Sequence, residues 1–205
     1  MVYDYIIDNY ANGEPIFLSE LPGYSKDSLR QEMNKLVDEG RLELLCNGVY
    51  YISYITILGT KGRVSIDKFI EKRYLTVDGK ASGYVTGLQL ANKYGFTTQN
   101  PSCYEICSNE AGTKQKKQEI NGYTIVVHKP VVDVTEANRF ALQFLDLMSV
   151  LDRYSEVSGS ELFCKLKKYI ASVKLDFSVV KEYLPLYSDK TCRNIYAGGL
   201  MSELV

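Results

Sequence analysis

The segment from Ile16 to Ile52 contains the clearest alternation of apolar and polar positions in the chain. Residues 26–38 carry an apolar stripe at helical spacing, formed by Leu29, Met33, Leu36 and Val37. Ser25 is a residue type that caps helix N-termini, and Gly40 is the type that ends helices in a left-handed conformation. The pattern therefore predicts one amphipathic helix between Ser25 and Gly40.

Two short apolar runs follow this helix, at residues 41–46 and 49–52, with Asn47-Gly48 between them. Asn-Gly is a strong hairpin signal, because both central residues of a type I′ turn need positive φ. Before the helix, residues 19–21 favour a short helix, and Ile16-Phe17 favours a strand that pairs with the hairpin. This order predicts a winged helix-turn-helix, a fold that most often places its second helix in a DNA major groove.

The glycines and basic residues of the stretch ILGTKGR, residues 57–63, predict a domain boundary. We therefore expect a winged helix at residues 1–60 and a second domain at residues 61–205. In the second domain, the spacing of apolar residues favours helices at Ser65–Tyr74 and Tyr84–Tyr94.

Beyond Thr97 the pattern is that of strands, at Ser102–Ser108 and Gly122–His128, with the polar loop EAGTKQKKQ between them. Four helices are predicted between Pro130 and the last residue of the sequence. The first is a long helix capped by Thr135, and the other three cover Gly159–Val173, Phe177–Leu184 and Asp189–Leu204. The predicted fold class is α+β: an N-terminal winged helix-turn-helix followed by a mainly helical α+β domain with a small antiparallel sheet.

The distribution of charge bears directly on DNA binding. The whole chain has 24 basic and 25 acidic side chains, whereas residues 1–60 have four basic and nine acidic ones, a net charge of −5. Phosphate neutralisation supplies most non-specific DNA affinity, so this acidic total counts against DNA binding. Three of the four basic residues nevertheless lie on the predicted second helix.

Cysteine usage and hydropathy indicate the compartment. The five cysteines are odd in number and scattered, which fits free thiols in a reducing environment. No apolar run approaches the roughly 18 residues that span a bilayer, and the N-terminus lacks a signal-peptide pattern. We therefore expect a cytoplasmic protein without a membrane partner.

If the predicted helix binds DNA, the polar side chains off its apolar stripe face the groove, together with the turn of the hairpin. These candidate DNA-binding residues are Ser25, Lys26, Ser28, Arg30, Gln31, Asn34, Lys35 and Asn47. Arginine can bind guanine bidentately, and glutamine or asparagine can bind adenine, each with about 1–3 kcal/mol of discrimination. The alternatives are that this face is solvated or that it binds protein.

A second candidate surface is a polyanion contact in the polar loop, at Lys114, Lys116 and Lys117, for which simple solvation is the alternative. A metal site is not expected. His128 is the only histidine, and Cys103 and Cys107 lie about 13 Å apart on a strand. We likewise expect no cofactor.

The sequence lacks the common nucleotide-binding and hydrolase motifs. Metal-dependent nucleases and nucleotidyltransferases need two or three converging carboxylates. The strands carry only Glu105 and Glu119, and Asp146 and Asp152 are six residues apart on a helix, which points them to opposite faces. We therefore expect no catalytic residues and no enzymatic activity; a pair of acids brought together by folding would favour an enzyme instead.

Several short motifs carry a family resemblance, and they span roughly residues 15–155. They are the close of the hairpin (Gly48, Tyr50), the GYVTG segment (Gly83, Tyr84, Gly87), the GFTTQNP turn (Gly95–Pro101) and the helix with Leu-Asp at Asp146. In these features the chain resembles the AbiEi-type antitoxins of bacterial abortive-infection toxin–antitoxin systems.

The resemblance implies an N-terminal winged helix that binds operator DNA and represses its own operon. It also implies a C-terminal domain that neutralises a nucleotidyltransferase-like toxin without a stable complex. We expect a homodimer, since single winged helices bind weakly and operators are commonly repeated. The alternative is a non-enzymatic adaptor or inhibitor whose winged helix mediates protein contacts.

Overall fold

The computed structural model describes residues 2–23 and 25–204, and the side chain of Lys26 is outside the described part. The chain divides into two compact units, Met1–Lys72 and Arg73–Val205. Both units combine helices with small sheets, which confirms the predicted α+β class. The first unit extends beyond residue 60, where the backbone N–H of Ser65 donates a 2.7 Å hydrogen bond to the carbonyl of Gly13.

The first unit is built from helices around a three-stranded antiparallel sheet. Its elements are α1 (Val2–Asn9), β1 (Ile16–Phe17), a 3-10 helix (Leu18–Glu20), α2 (Lys26–Asp38), β2 (Leu42–Cys46), β3 (Val49–Ile52) and α3 (Ile66–Ile70). The strand order is β1-β3-β2, so the predicted pairing of Ile16-Phe17 with the hairpin is confirmed. The apolar stripe of α2 is buried with residues of α1 and the sheet.

Both predicted ends of α2 are confirmed. The Ser25 side chain accepts a 3.3 Å hydrogen bond from the backbone N–H of Ser28 and so satisfies one of the free donors at the helix start. Gly40 has φ +72°, the left-handed conformation that ends a helix with least strain in glycine.

Asn47-Gly48 forms the turn between β2 and β3, but the predicted type I′ geometry is wrong. Gly48 has φ +76°, whereas Asn47 is not among the residues with positive φ. The pairing register shifts between Leu44 and Cys46. At this irregularity one extra residue of β2 is left out of the pairing with β3. The turn then has one residue in the left-handed conformation, and that residue is Gly48.

The second unit contains a two-stranded sheet and a four-stranded sheet, with helices around them. The two-stranded sheet is formed by β4 (Thr76–Val77) and β5 (Lys80–Ala81). The four-stranded sheet is formed by β6 (Gly83–Val85), β7 (Cys103–Ser108), β8 (Gln115–Ile120) and β9 (Tyr123–His128). Its helices are α4 (Gly87–Lys93), α5 (Arg139–Tyr154), α6 (Gly159–Val173), α7 (Phe177–Tyr183) and α8 (Asp189–Ala197), with 3-10 turns at Leu184–Leu186 and Met201–Leu204. Directly after α3 in the chain, a π-helical turn covers Glu71–Leu75.

The predicted small antiparallel sheet is present in coarse terms, since β4-β5, β6-β7 and β8-β9 pair antiparallel, but these pairs involve strands that were not predicted. The larger sheet has the order β6-β7-β9-β8, and its central pair, β7 and β9, is parallel. This parallel pair differs from the antiparallel sheet that the sequence predicts. It arises because β8 follows β7 in the chain but pairs outside β9, at the sheet edge.

Several predicted elements of the second unit were wrong in type or extent. The predicted helix Tyr84–Tyr94 begins only at Gly87, because residues 83–85 pair with β7 as strand β6. The cap of α5 is Asn138 and not Thr135: the two residues exchange side-chain-to-backbone hydrogen bonds in a turn that precedes the helix. The last predicted helix stops at Ala197, before Gly198-Gly199, where Gly199 has φ +73°.

The core of the second unit surrounds α5, and both faces of this helix carry buried residues. Helix α6 covers Gly159–Val173 as predicted and buries Leu162, Leu166 and Tyr169 against α5 and its neighbours. Across the residues that the structure describes, no helix has the length and apolar character needed to cross a membrane.

Candidate functional site

The candidate DNA-binding residues of the first unit lie on the surface of α2 and at the hairpin turn. Ser25 caps the helix, and the exposed positions on the helix itself include Ser28, Arg30, Gln31, Asn34 and Lys35. Asn47 is exposed at the β2–β3 turn. The Lys26 side chain falls outside the described residues. One helix therefore presents this polar set, as the sequence pattern predicts.

Asn34 and Gln31 differ in their freedom to read a base. The Tyr50 hydroxyl donates a 3.4 Å hydrogen bond to Oδ1 of Asn34, which ties this carboxamide to β3. Recognition of adenine uses both the oxygen and the nitrogen of an amide side chain. Gln31 makes no hydrogen bond to any described residue, so it is the better placed of the two for that contact.

The exposed face of α2 has mixed charge. Asp27 and Asp38 lie four residues before and seven after Gln31, which puts both carboxylates on the same helix face. Lys35 and Arg41 both approach Glu39, with N–O distances of 4.0 and 3.3 Å. Arg30 makes no ion pair with a described residue, so among the described cations of this face it is the most available to a ligand.

The lysines of the predicted polar loop lie mostly in a strand, so the loop prediction was wrong. Lys116 and Lys117 belong to β8, and Lys114 precedes it in a bend. Adjacent strand residues point to opposite faces, so Lys116 and Lys117 do not form one patch. Lys117 also lies 3.8 Å from Glu119. Pairing with β9 along six residues outweighed the polar composition that suggested a loop.

In the second unit, folding brings titratable side chains together around one cavity of about 260 Å³. Four segments supply its lining: the turn between β6 and α4, the strands β7 and β9, and helix α5. The lining residues are Thr86, Gly87, Glu105, Cys107, His128, Lys129, Asp146, Ser149 and Val150. This site was missed because its residues are scattered over more than 60 positions.

Asp146 is the most constrained group of this cavity. Its Oδ2 accepts a 2.9 Å hydrogen bond from the Tyr84 hydroxyl and a 3.2 Å contact from the Cys107 thiol. Burial raises the pKa of the Asp146 carboxyl above its usual value, and the bonds from Cys107 and Tyr84 offset part of this rise. The carboxyl thereby links α5 to β6 and β7.

The cysteine and histidine beside Asp146 do not form an activated nucleophile. Cys107 and His128 are register partners on the parallel strands β7 and β9. Burial and the adjacent Asp146 carboxyl both raise the pKa of the Cys107 thiol, which disfavours the reactive thiolate. Among the described residues, no group of three or more histidine, cysteine or acidic side chains has the arrangement to hold a metal ion.

Two acids, Glu105 and Asp146, line the same cavity although 41 positions separate them in the chain. Asp152, the other acid of the same helix, is exposed and pairs with Lys190 at 2.9 Å, so it does not join this site. A signal was present: the GYVTG and Leu-Asp motifs contain Tyr84, Gly87 and Asp146, and all three lie at this site.

No family model matches the chain, and no curated protein matches it. The resemblance to AbiEi-type antitoxins therefore rests on the short motifs alone, and the function is inferred from the residues and their geometry.

Proposed function

We propose that this protein is the antitoxin of a bacterial abortive-infection toxin–antitoxin system and that it binds operator DNA to repress its own operon. The observation that carries the proposal is the capped helix α2, whose polar side is exposed and whose apolar side is buried. The chain has no catalytic role under this proposal: Glu105 and Asp146 line one cavity, but among the described residues they belong to no group of three or more side chains that could hold a metal ion, and burial raises the pKa of Asp146. The motifs shared with AbiEi-type antitoxins give the antitoxin part of it.

The order of elements in the first unit supports a winged helix. Helix α1, strand β1, the 3-10 helix Leu18–Glu20, helix α2 and the hairpin β2–β3 follow one another in the order typical of that fold. In this assignment the 3-10 helix and α2 are the helix-turn-helix, and the β2–β3 hairpin is the wing.

The proposed contacts follow from side-chain chemistry. Arg30 pairs with guanine and Gln31 with adenine in the major groove. Ser25, Ser28 and the free backbone N–H groups at the start of α2 contact phosphate. Asn47 approaches the DNA backbone from the wing. The proposed homodimer places two such helices on repeated half-sites.

The second unit neutralises the cognate nucleotidyltransferase-like toxin in this proposal, without a stable complex. The experiment that tests the proposal uses a promoter reporter and a toxin-rescue assay in the same cells. Arg30→Ala with Gln31→Ala should relieve repression of the operon and leave toxin neutralisation intact. The control is Arg193→Ala, which removes an exposed arginine of α8 and should change neither readout.

If the double variant represses as the wild type does, the DNA-binding proposal fails. If the wild-type protein does not rescue cells from the toxin encoded beside it, the antitoxin proposal fails separately. The two halves of the proposed function are thus tested by different readouts.

One observation favours a second candidate, a protein-binding adaptor. Ile57 and Leu58 are 103% and 84% exposed at the tip of a loop, and Ile55 beside them is 67% exposed. The loop is ordered by a 2.8 Å bond from the Thr56 N–H to the Thr60 carbonyl. An apolar tip held in this way is typical of a protein contact. Under this alternative, Ile57→Ser with Leu58→Ser abolishes partner binding, and the operon is unaffected by Arg30→Ala.

A further inference from the structure

The cavity of the second unit carries two opposite charges that are not neutralised. Glu105 of β7 and Lys129, directly after β9, both line it. Within the described part of the chain, neither makes an ion pair, and they do not pair with each other. Unpaired charges of opposite sign in one concave site are complementary to a ligand that carries both signs.

The turn between β6 and α4 leaves room for the Glu105 carboxylate at the cavity. Gly87 has φ +65°, and a Cβ at this position would overlap that carboxylate. Glycine allows both the left-handed backbone and this close approach. The Glu105 carboxylate therefore lies against the turn that lines the cavity.

A hydroxyl group is also available at the cavity surface. Thr86 lines the cavity, and its side chain makes no hydrogen bond to a described residue, including no cap to α4. A hydroxyl can both donate and accept a hydrogen bond. The Thr86 hydroxyl is therefore free to contact a ligand atom in the cavity.

The cavity is a cleft open to solvent, and its size suits a small metabolite. Its volume of about 260 Å³ equals the share of roughly nine water molecules in the liquid. Drug-sized and nucleotide-sized ligands occupy pockets of about 300–1,000 Å³. A molecule of roughly ten non-hydrogen atoms fits.

We propose that this cavity binds a small zwitterion, with its ammonium group between Glu105 and Asp146 and its carboxylate at Lys129. Asp146 accepts bonds from Tyr84 and Cys107 at Oδ2, and a carboxylate has capacity for further donors. The Thr86 hydroxyl completes the set of polar contacts. This site goes beyond the proposed function and does not depend on DNA binding.

The test is a titration of the full-length protein, followed through the backbone amide signals of Gly87 and Ser149. The probes are glycine, β-alanine, 4-aminobutanoate and 5-aminopentanoate, in which the two charges are progressively further apart. Pentylamine and pentanoate are matched single-charge controls. We expect saturable shifts for at least one zwitterion, with a dissociation constant of roughly 1 mM or tighter, and the best chain length reports the spacing of the two charged subsites.

Single-charge probes should bind at least about tenfold more weakly, because each lacks one charge-assisted hydrogen bond. Glu105→Gln and Lys129→Met should each weaken binding of the best zwitterion by a similar factor. The matched control is Lys117→Met with Glu119→Gln, an exposed pair on β8 that does not line the cavity.

The proposal is overturned if no zwitterion gives saturable shifts, if pentylamine binds as tightly as the best zwitterion, or if Lys129→Met binds like the wild type. Lys129 is exposed, so its variant should fold. The Lys129 result and the probe series together decide the proposal even if Glu105→Gln fails to fold.

Discussion

The hydroxyl of Tyr84 donates a 2.9 Å hydrogen bond to the carboxyl of Asp146. Tyr84 lies on β6 and Asp146 on α5, and Cys107 of β7 meets the same carboxyl oxygen. One buried acid therefore joins three elements of the second unit. Because a buried polar group is costly when it loses its partner, this bond predicts measurable effects on stability.

Tyr84→Phe should lower the free energy of unfolding of the second unit by about 1–3 kcal/mol, since it leaves the buried carboxyl short of one donor. Urea denaturation followed by tyrosine fluorescence measures this loss. Tyr196→Phe is the control, because Tyr196 is 73% exposed and its hydroxyl has no hydrogen bond to a described residue. Equal stability of the two variants would contradict the role given to the Tyr84–Asp146 bond.

The same carboxyl predicts a pH dependence. Burial raises the pKa of Asp146 in the folded state above the unfolded value of about 3.9. As pH rises, the unfolded chain therefore loses this proton before the folded protein does. The contribution of the protonated Asp146 carboxyl to the free energy of unfolding is complete below about pH 3.9, and it declines as pH rises through the raised pKa of the folded state. Asp146→Asn removes the titration. The stability difference, wild type minus Asp146→Asn, should fall between pH 3.5 and 7.5, and a constant difference would count against the raised pKa.

Glu156 predicts the opposite dependence. It accepts hydrogen bonds from the Thr98 N–H at 2.7 Å and from the side chains of Thr97, Thr98 and Gln99, which lower its pKa to about 2. The contribution of the ionised Glu156 carboxylate to the free energy of unfolding is complete above the unfolded-state pKa of about 4.3. This contribution is lost as pH falls towards the folded-state pKa of about 2. Glu156→Gln should destabilise at pH 7 more than at pH 3.

Thermal unfolding at the two pH values measures this difference. The control Glu182→Gln changes an exposed glutamate of α7 that makes no hydrogen bond or ion pair with the described residues. We expect it to be neutral at both pH values. A Glu156→Gln effect that is the same at pH 3 and pH 7 would contradict the hydrogen-bonded turn at residues 97–99.

Gly87→Ala should destabilise the second unit by about 1–3 kcal/mol, because alanine is strained at φ +65° and its Cβ would displace the Glu105 carboxylate. Gly112→Ala is the matched control. Gly112 lies outside the left-handed region, and nothing lies within 4 Å of an added Cβ. Chemical denaturation measures the free energy of unfolding of both variants. If the two variants were equally stable, the turn would not require glycine at position 87.

The elements with a strong local period were predictable from the sequence. Helix α6 has the predicted bounds Gly159–Val173, and α2 has its predicted cap at Ser25, because both depend on side chains within one or two helical turns. The hairpin β2–β3 was found from Asn47-Gly48 for the same reason. Local signals suffice where the stabilising contacts are local.

The elements that depend on distant pairing were not predictable in the same way. Strand β8 has a polar sequence and exists because it pairs with β9. Residues 83–85 sit in a helical pattern but pair with β7. Glu105 and Asp146 line the same cavity because α5 packs on the sheet. The spacing of these two residues in the sequence does not predict that they lie at one site.

The most direct test of the proposed function is binding of the purified protein to the DNA immediately upstream of its own gene, titrated against salt. The account predicts specific binding above a scrambled control, with a slope of about −0.9 in log K against log salt per phosphate contact. Arg30→Ala should remove the preference for the specific site. Equal binding to specific and scrambled DNA, or no binding at low salt, would contradict the DNA-binding proposal and favour the alternative in which the first unit, Met1–Lys72, contacts a protein.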